Sequence, residues 1–175
     1  MNTFIRKATI HDIDEIECLY DDLNDYLEKH ENGPRWKKGV YPVRENAEEA
    51  LGESTLYVAV IDEKIVGTVV LSRKQYEAYK EVDWQIEYDV PVFVVGVLAV
   101  HPNYLGRGVA QSLLNYATVL GKECGIKAIR LDTYEENIPA AKLYEKCGFT
   151  YMGLLDLGLE ELYGLKWYKV YERLI

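Results

Sequence analysis

Two stretches of this sequence carry groups suited to chemistry. The first, "NYLGRGVAQSLL" (Asn103 to Leu114), places Gly106 and Gly108 one residue apart ahead of a run with helical spacing, just after the apolar segment "VPVFVVGVLAV". A strand, a glycine turn and a helix start form a common phosphate cradle, because glycine lets the backbone approach closely and the N–H groups at the positive end of a helix meet the anion. The second, "NIPAAKLYEKCGF" (Asn137 to Phe149), sets Tyr144 on a short helix with Asn137 near its N-cap, Pro139 in its first turn and Gly148 past its end. A tyrosine hydroxyl, with an ordinary pKa of about 10, can act as a general acid toward a base of comparable strength.

These stretches need a scaffold. "TFIRKA" alternates as a half-buried first strand, and Ile13, Ile16, Tyr20, Leu23 and Leu27 recur at three and four, marking an amphipathic helix. "KHENGPRWKKGVYP" is a loop with two prolines and two glycines, and a second short helix covers Arg44 to Leu51. "TLYVAVIDEKIVGTVVLSR" reads as a hairpin around "DEK", and residues 74 to 89 as a long connection or irregular helix. "VPVFVVGVLAV" has the composition of a strand covered on both faces, with Gly96 in its middle as the mark of a bulge or a close backbone approach. After the glycine turn a helical stripe runs from Ala110 to Cys124. "KAIRLDTY", "TYMGLLDL" and "LKWYKVYERLI" are further strands.

Composition narrows the function classes. The chain has 175 residues, 49% hydrophobic and 28% charged, which fits one domain with a core of its own. A net charge of -9 argues against nucleic acid, whose binding rests on Lys and Arg. Nine acids between His11 and Glu31 stand against Lys29 alone, a solvated face that could also steer a cationic substrate. The sequence shows neither a secretory leader nor an apolar run long enough for a membrane span, so a cytoplasmic location is expected. Cys18, Cys124 and Cys147 lack the spacing of a metal site or a disulfide framework, and two or more are expected to be partly buried.

The glycine turn alone leaves its ligand open. The GxxxxGK[ST] pattern of a P-loop is absent. A dinucleotide site wants GxGxxG directly after its strand, whereas "GRGVAQ" puts Gln111 at the third place and lies six residues beyond the strand, although Asp132 is tolerably placed for a ribose.

Together the two stretches resemble the paired signatures of the GNAT superfamily of N-acetyltransferases. "LAVHPNYLGRGVAQSLL" is similar to its pyrophosphate loop, V-x-P then [RQ]-x-x-G-x-[GA], and "NIPAAKLYEKCGF" to its N-x-x-A-x-x-L-Y-E-K-x-G-F motif. The resemblance implies an α/β (α+β) fold with a mixed, twisted sheet of about seven strands flanked by about four helices and splayed between the fourth and fifth strands. Residues 1–175 would then be one N-acetyltransferase domain. It implies acetyl-CoA as cofactor and a primary amine as acceptor, attacked directly with no covalent enzyme intermediate.

By the same resemblance, Leu105, Gly106, Arg107, Gly108, Val109 and Ala110 form the diphosphate cradle. Leu98, Ala99 and Val100 bind the pantetheine arm through the backbone, Asn137 and Ala140 lie on the cofactor side, and Tyr144 is the general acid. A backbone N–H near Val97 or Leu98 would meet the oxyanion. Trp36 and Tyr41 lie in a loop that often walls the acceptor pocket. Two departures stand out: Leu105 replaces the leading Arg or Gln, and no carboxylate stands at Gly96 or Val97, where many relatives hold a base. Glu87, Asp89 or Tyr134 are candidate substitutes, while His101 belongs to the structural V-H-P pattern and His11 and His30 to the surface. No metal is implied; relatives often dimerise. The rival reading is a non-catalytic acyl-CoA sensor of the same fold.

Overall fold

A computed structural model of the protein describes residues 2–175. Its elements run β1 (Phe4–Lys7), α1 (Ile13–Lys29), α2 (Arg44–Gly52), β2 (Leu56–Ile61), β3 (Lys64–Ser72), β4 (Val92–Val100), α3 (Val109–Glu123), β5 (Ala128–Tyr134), α4 (Ile138–Lys146), β6 (Thr150–Asp156), α5 (Glu160–Tyr163) and β7 (Trp167–Leu174). The strands form one mixed sheet in the order β1-β2-β3-β4-β5-β7-β6. The last strand therefore inserts between β5 and β6, antiparallel to both. Four helices of nine or more residues are joined by the single turn of α5. No helix of the described residues is long and apolar enough to cross a membrane.

By packing, the chain divides into two compact units, and β4 passes from one into the other after Val95. The first comprises residues up to Asn32, Trp36–Leu71 and Gly96–Tyr116. Here α1 buries Ile13, Ile16, Leu19, Tyr20, Leu23 and Leu27, the three-and-four spacing of an apolar stripe. Each such side chain contributes roughly 1.5–3 kcal/mol over its exposed state. Asp12 fixes the start of α1 by accepting the Thr9 N–H at 2.7 Å and both terminal nitrogens of Arg6, from β1, at 2.8 and 2.9 Å. The β2–β3 hairpin turns on Asp62 and Glu63, whose φ values of 49° and 66° are those of a primed two-residue turn.

The second unit comprises Gly33–Arg35, Ser72–Val95 and Ala117–Ile175. Arg130 on β5 and Glu172 on β7 face each other in register and pair at 2.7 Å, both fully buried. The same guanidinium donates to the carbonyls of Ile86, Glu87 and Tyr88 and to Gln75, while Glu172 takes the Gln85 N–H at 2.7 Å. This explains residues 74–89: one short helical turn at Glu77–Glu81 leads into an irregular segment whose backbone is held by a buried ion pair rather than by a ladder. Tyr79 and Trp84 sink into the core there, with the Trp84 indole donating to the Tyr79 carbonyl.

Cys18 and Cys124 are exposed, and only Cys147 is buried. The expectation of two or more covered thiols is corrected. Cys18 falls on the outer face of α1 and Cys124 at the C-terminal end of α3, beyond the apolar stripe.

Candidate active site

The glycine turn lies in the first unit. His101, Pro102, Asn103 and Tyr104 make a tight turn in which the His101 imidazole accepts the Asn103 N–H through Nδ1 at 3.2 Å and holds Asp22 through Nε2 at 3.0 Å. Accepting at Nδ1 fixes the proton of the neutral ring on Nε2, so the side chain is a strut, as its pattern predicts. Beyond it Gly106 and Gly108 take φ of 73° and 79° in open space, so backbone handedness and not crowding requires glycine there. The Gly108 carbonyl accepts the Ser112 N–H at 2.9 Å and opens α3. No acceptor among the described residues takes the N–H groups of Gly106, Gly108, Val109 and Ala110, and all stand at the positive end of a fifteen-residue helix. The side chain of Leu105 is exposed, and Arg107 stacks on the Tyr104 ring at 5.2 Å.

Sequence reasoning missed what seats α3. A Cβ on Gly67 would lie 2.9 Å from Val109 Cγ1 and 3.2 Å from the Ala99 carbonyl oxygen. The bare backbone of β3 is what lets the first residue of α3 come down on the sheet. Leu98, Ala99 and Val100 lie at the end of β4, and the His101 N–H bonds to the Val66 carbonyl at 2.8 Å. The unusual backbone conformation falls not on Gly96 but on its neighbour. Val97 has φ of 38°, a conformation costly for a β-branched residue, and its carbonyl accepts the Thr68 hydroxyl at 3.4 Å. A Cβ on Gly96 would meet only Val70, at ordinary contact distance.

Trp36 and Tyr41 meet edge to face at 5.7 Å, and Trp36 packs against the core beneath α1. The Trp36 backbone is clasped at both ends by the Asn32 amide.

The second unit holds the tyrosine. Tyr144 is buried on α4 with its ring against Phe149 and Tyr171, at 6.0 and 5.5 Å. Its hydroxyl forms no hydrogen bond among the described residues. Burial, and then the negative charge of Asp132, push its pKa well above the ordinary tyrosine value, so it stays protonated. Asn137 caps α4 through Oδ1 to the Ala140 N–H at 3.3 Å and donates to the Thr133 hydroxyl at 3.0 Å, so it serves the fold first. Gly33 is pressed so closely on the Asn137 side chain that a Cβ would overlap its Oδ1. In the same unit the β4–β5 parallel register runs from Val92 to Val94 and has no further pair among the described residues, the interruption expected of a splay.

The candidate bases fall in different places. Glu87 and Asp89 are exposed, and Arg130 takes the Glu87 carbonyl. The Tyr134 hydroxyl turns to Glu136 at 3.4 Å, beneath Arg35. Asp132, which sequence reasoning weighed only for a ribose, lies on the same β5 face as Arg130 and accepts the Tyr79 hydroxyl at 2.5 Å. Burial pushes its pKa up to about 6, opposed by that hydrogen bond.

The Acetyltransferase (GNAT) family pattern matches residues 16–149, and the chain belongs to that family. A streptothricin acetyltransferase of Escherichia coli is 33% identical over 105 residues, 60% of this chain; the chain spans about half of that relative, 52%. A GNAT-family acetyltransferase from Streptococcus agalactiae superposes with a TM-score of 0.80 at 20% identity, over 99% of this chain and 95% of that one. The PaiA N-acetyltransferase of Thermoplasma acidophilum, solved with coenzyme A, superposes with a TM-score of 0.71 at 17% identity over the whole of both chains.

Proposed function

We propose that this protein is an N-acetyltransferase that moves an acetyl group from acetyl-CoA to a primary amine on a small cationic molecule, with Tyr144 as general acid and residues 1–175 acting as a single domain. The observation that carries this reading is the set of N–H groups of Gly106, Gly108, Val109 and Ala110 at the start of α3, which no acceptor among the described residues takes. They fit a diphosphate, which asks for several convergent donors and a helix dipole but no particular side chain. That is why Leu105 in place of Arg or Gln leaves the site intact.

Acetyl-CoA supplies the acyl group as an activated thioester. The end of β4, Leu98 to Val100, offers its backbone along the pantetheine arm, and Asn137 and Ala140 serve as further cofactor-side residues. A backbone N–H near Val97 or Leu98 meets the oxyanion as the amine adds. Tyr144, neutral and with no internal partner, protonates the sulfur as the C–S bond breaks.

A cationic acceptor is favoured by the charge of -9 and by the acids on the exposed face of α1, which raise the local concentration of cations. The name of the Escherichia coli relative makes streptothricin the first acceptor to try. Thiol release from acetyl-CoA, measured over streptothricin, polyamines and peptides, tests the reading. Acceptor-dependent thiol with the small cations supports it. Binding of acetyl-CoA without release for any amine would replace it with the sensor.

A further inference from the structure

The face of β5 that carries Arg130 also carries Asp132 two residues on, and the two differ in how they are satisfied. Arg130 is saturated: its guanidinium spends itself on Glu172, Gln75 and three carbonyls, and it lies over the Trp84 ring at 4.4 Å. No cation is left for Asp132. Its Oδ2 accepts the Tyr79 hydroxyl, while Oδ1 accepts nothing among the described residues and the side chain keeps partial access to solvent. Its neighbours are tyrosines. The ring of Tyr79 lies tilted at 5.6 Å from that of Tyr76, and Tyr168 on β7 sits opposite Tyr134 in register, two pairs beyond Asp132 and Val170. The charge of Asp132 also reaches the hydroxyls of Tyr76, Tyr144 and Tyr168. A deep carboxylate that lacks a counter-ion and is walled by aromatic rings is complementary to one kind of ligand, an organic ammonium, which supplies the missing charge and is attracted by the rings.

We propose that Asp132, within this tyrosine wall, seats the ammonium group of the acceptor and takes its proton. The proposal rests on the acetyl-transfer reading above and gives that reaction the base that β4 lacks. The steps balance. Asp132 removes one proton from the ammonium, and the freed lone pair forms the C–N bond at the thioester carbonyl. Tyr144 gives its proton to the sulfur as the C–S bond breaks, and the second proton lost by the nitrogen restores Tyr144. The proton on Asp132 then leaves to water, so each acetyl transfer releases one proton.

Asp132→Asn keeps the shape of the side chain and an acceptor for Tyr79 while removing the charge. Two measurements decide. The first is calorimetry with n-butyltrimethylammonium, a cation with no proton to give, in the absence of acetyl-CoA. The expected result is binding to the wild type at pH 7.5, weakened about tenfold in Asp132→Asn and likewise at pH 5, where the carboxylate is protonated. The second is the pH profile of kcat/KM for the amine. Asp132→Asn should lose about 100-fold at pH 7 and lose its acid limb. Tyr79→Phe removes the hydrogen bond that favours the charged carboxylate, so it should keep the limb but move it to higher pH. Equal binding of the cation by wild type and Asp132→Asn, or an unchanged acid limb in both variants, would overturn the proposal. If instead no amine released thiol while the cation still bound through Asp132, acetyl transfer would fall and the ammonium seat would stand.

Discussion

Arg130 and Glu172 close an ion pair at 2.7 Å with neither side chain exposed to solvent. Taking two charges out of water costs several kcal/mol each, and this pair offsets it because every remaining valence is used: Glu172 holds the Gln85 backbone and Arg130 three successive carbonyls. Removing one partner strands the other. Glu172→Gln is expected to lose about 3–5 kcal/mol in denaturant unfolding and to loosen residues 74–89, read as faster amide exchange at Gln85. Arg130→Lys should fare little better, since an ammonium lacks the fork that reaches carboxylate and carbonyls together. An exchange rate at Gln85 equal to wild type in Glu172→Gln would show that the pair does not hold the segment.

Tyr144→Phe separates chemistry from folding. The hydroxyl has no internal partner, so deleting it should leave stability unchanged or slightly higher. Turnover should fall about 100-fold or more at saturating substrates if the hydroxyl protonates the sulfur. Acetyl-CoA affinity, which the proposal assigns to the N–H groups ahead of α3, should not move. A stable Tyr144→Phe with full turnover would return the residue to the core aromatics.

How far these features were legible in the sequence depends on whether the cause is local. The glycine turn and the Tyr144 helix are short motifs, and α1 announces itself by Ile13, Ile16, Tyr20 and Leu23 at helical spacing. Long-range causes are different. Arg130 and Glu172 meet only because β7 inserts between β5 and β6, an order that no periodicity encodes. Asp132 reads as an ordinary polar position of a strand until Tyr79, 53 residues away, is seen to bond it. Gly33 and Gly67 look like loop and strand glycines, but their reasons are Asn137 and Val109. Strain at Val97, beside a glycine that takes none of it, is set by the surrounding sheet.

Asp12 links stability to pH. Bonds from Arg6, and then from the Thr9 backbone, hold its carboxyl below the ordinary value of 3.8. A lowered folded-state pKa means that the contribution is fully present above the unfolded value and is lost as pH falls through the folded one. Asp12→Asn keeps an acceptor for the Thr9 N–H and loses only the charge facing the partly exposed Arg6, so it should be less stable than wild type by up to about 1 kcal/mol at pH 7. The difference should shrink in urea unfolding as pH falls below 3.8 and through the lowered folded-state value. A difference that did not shrink at all as the solution was acidified would mean that side-chain packing, not charge, is what Asp12 provides.

Gly67 seats the start of α3, where the proposed cofactor cradle lies. In Gly67→Ala the new methyl meets Val109 Cγ1 at 2.9 Å and the Ala99 carbonyl at 3.2 Å; one is a stiff β-branched side chain and the other is backbone, so neither can yield cheaply. The start of α3 must lift, at about 1–3 kcal/mol of overpacking. The N–H groups from Gly106 to Ala110 move with it, so the dissociation constant for acetyl-CoA should rise on the order of tenfold, in line with the sensitivity of bound geometry to sub-ångström displacement. Tyr144 is untouched, so turnover at saturating acetyl-CoA should hold. Calorimetry with coenzyme A beside a thermal melt distinguishes the cases: lower stability with unchanged affinity would mean that α3 tilts without carrying the cradle along.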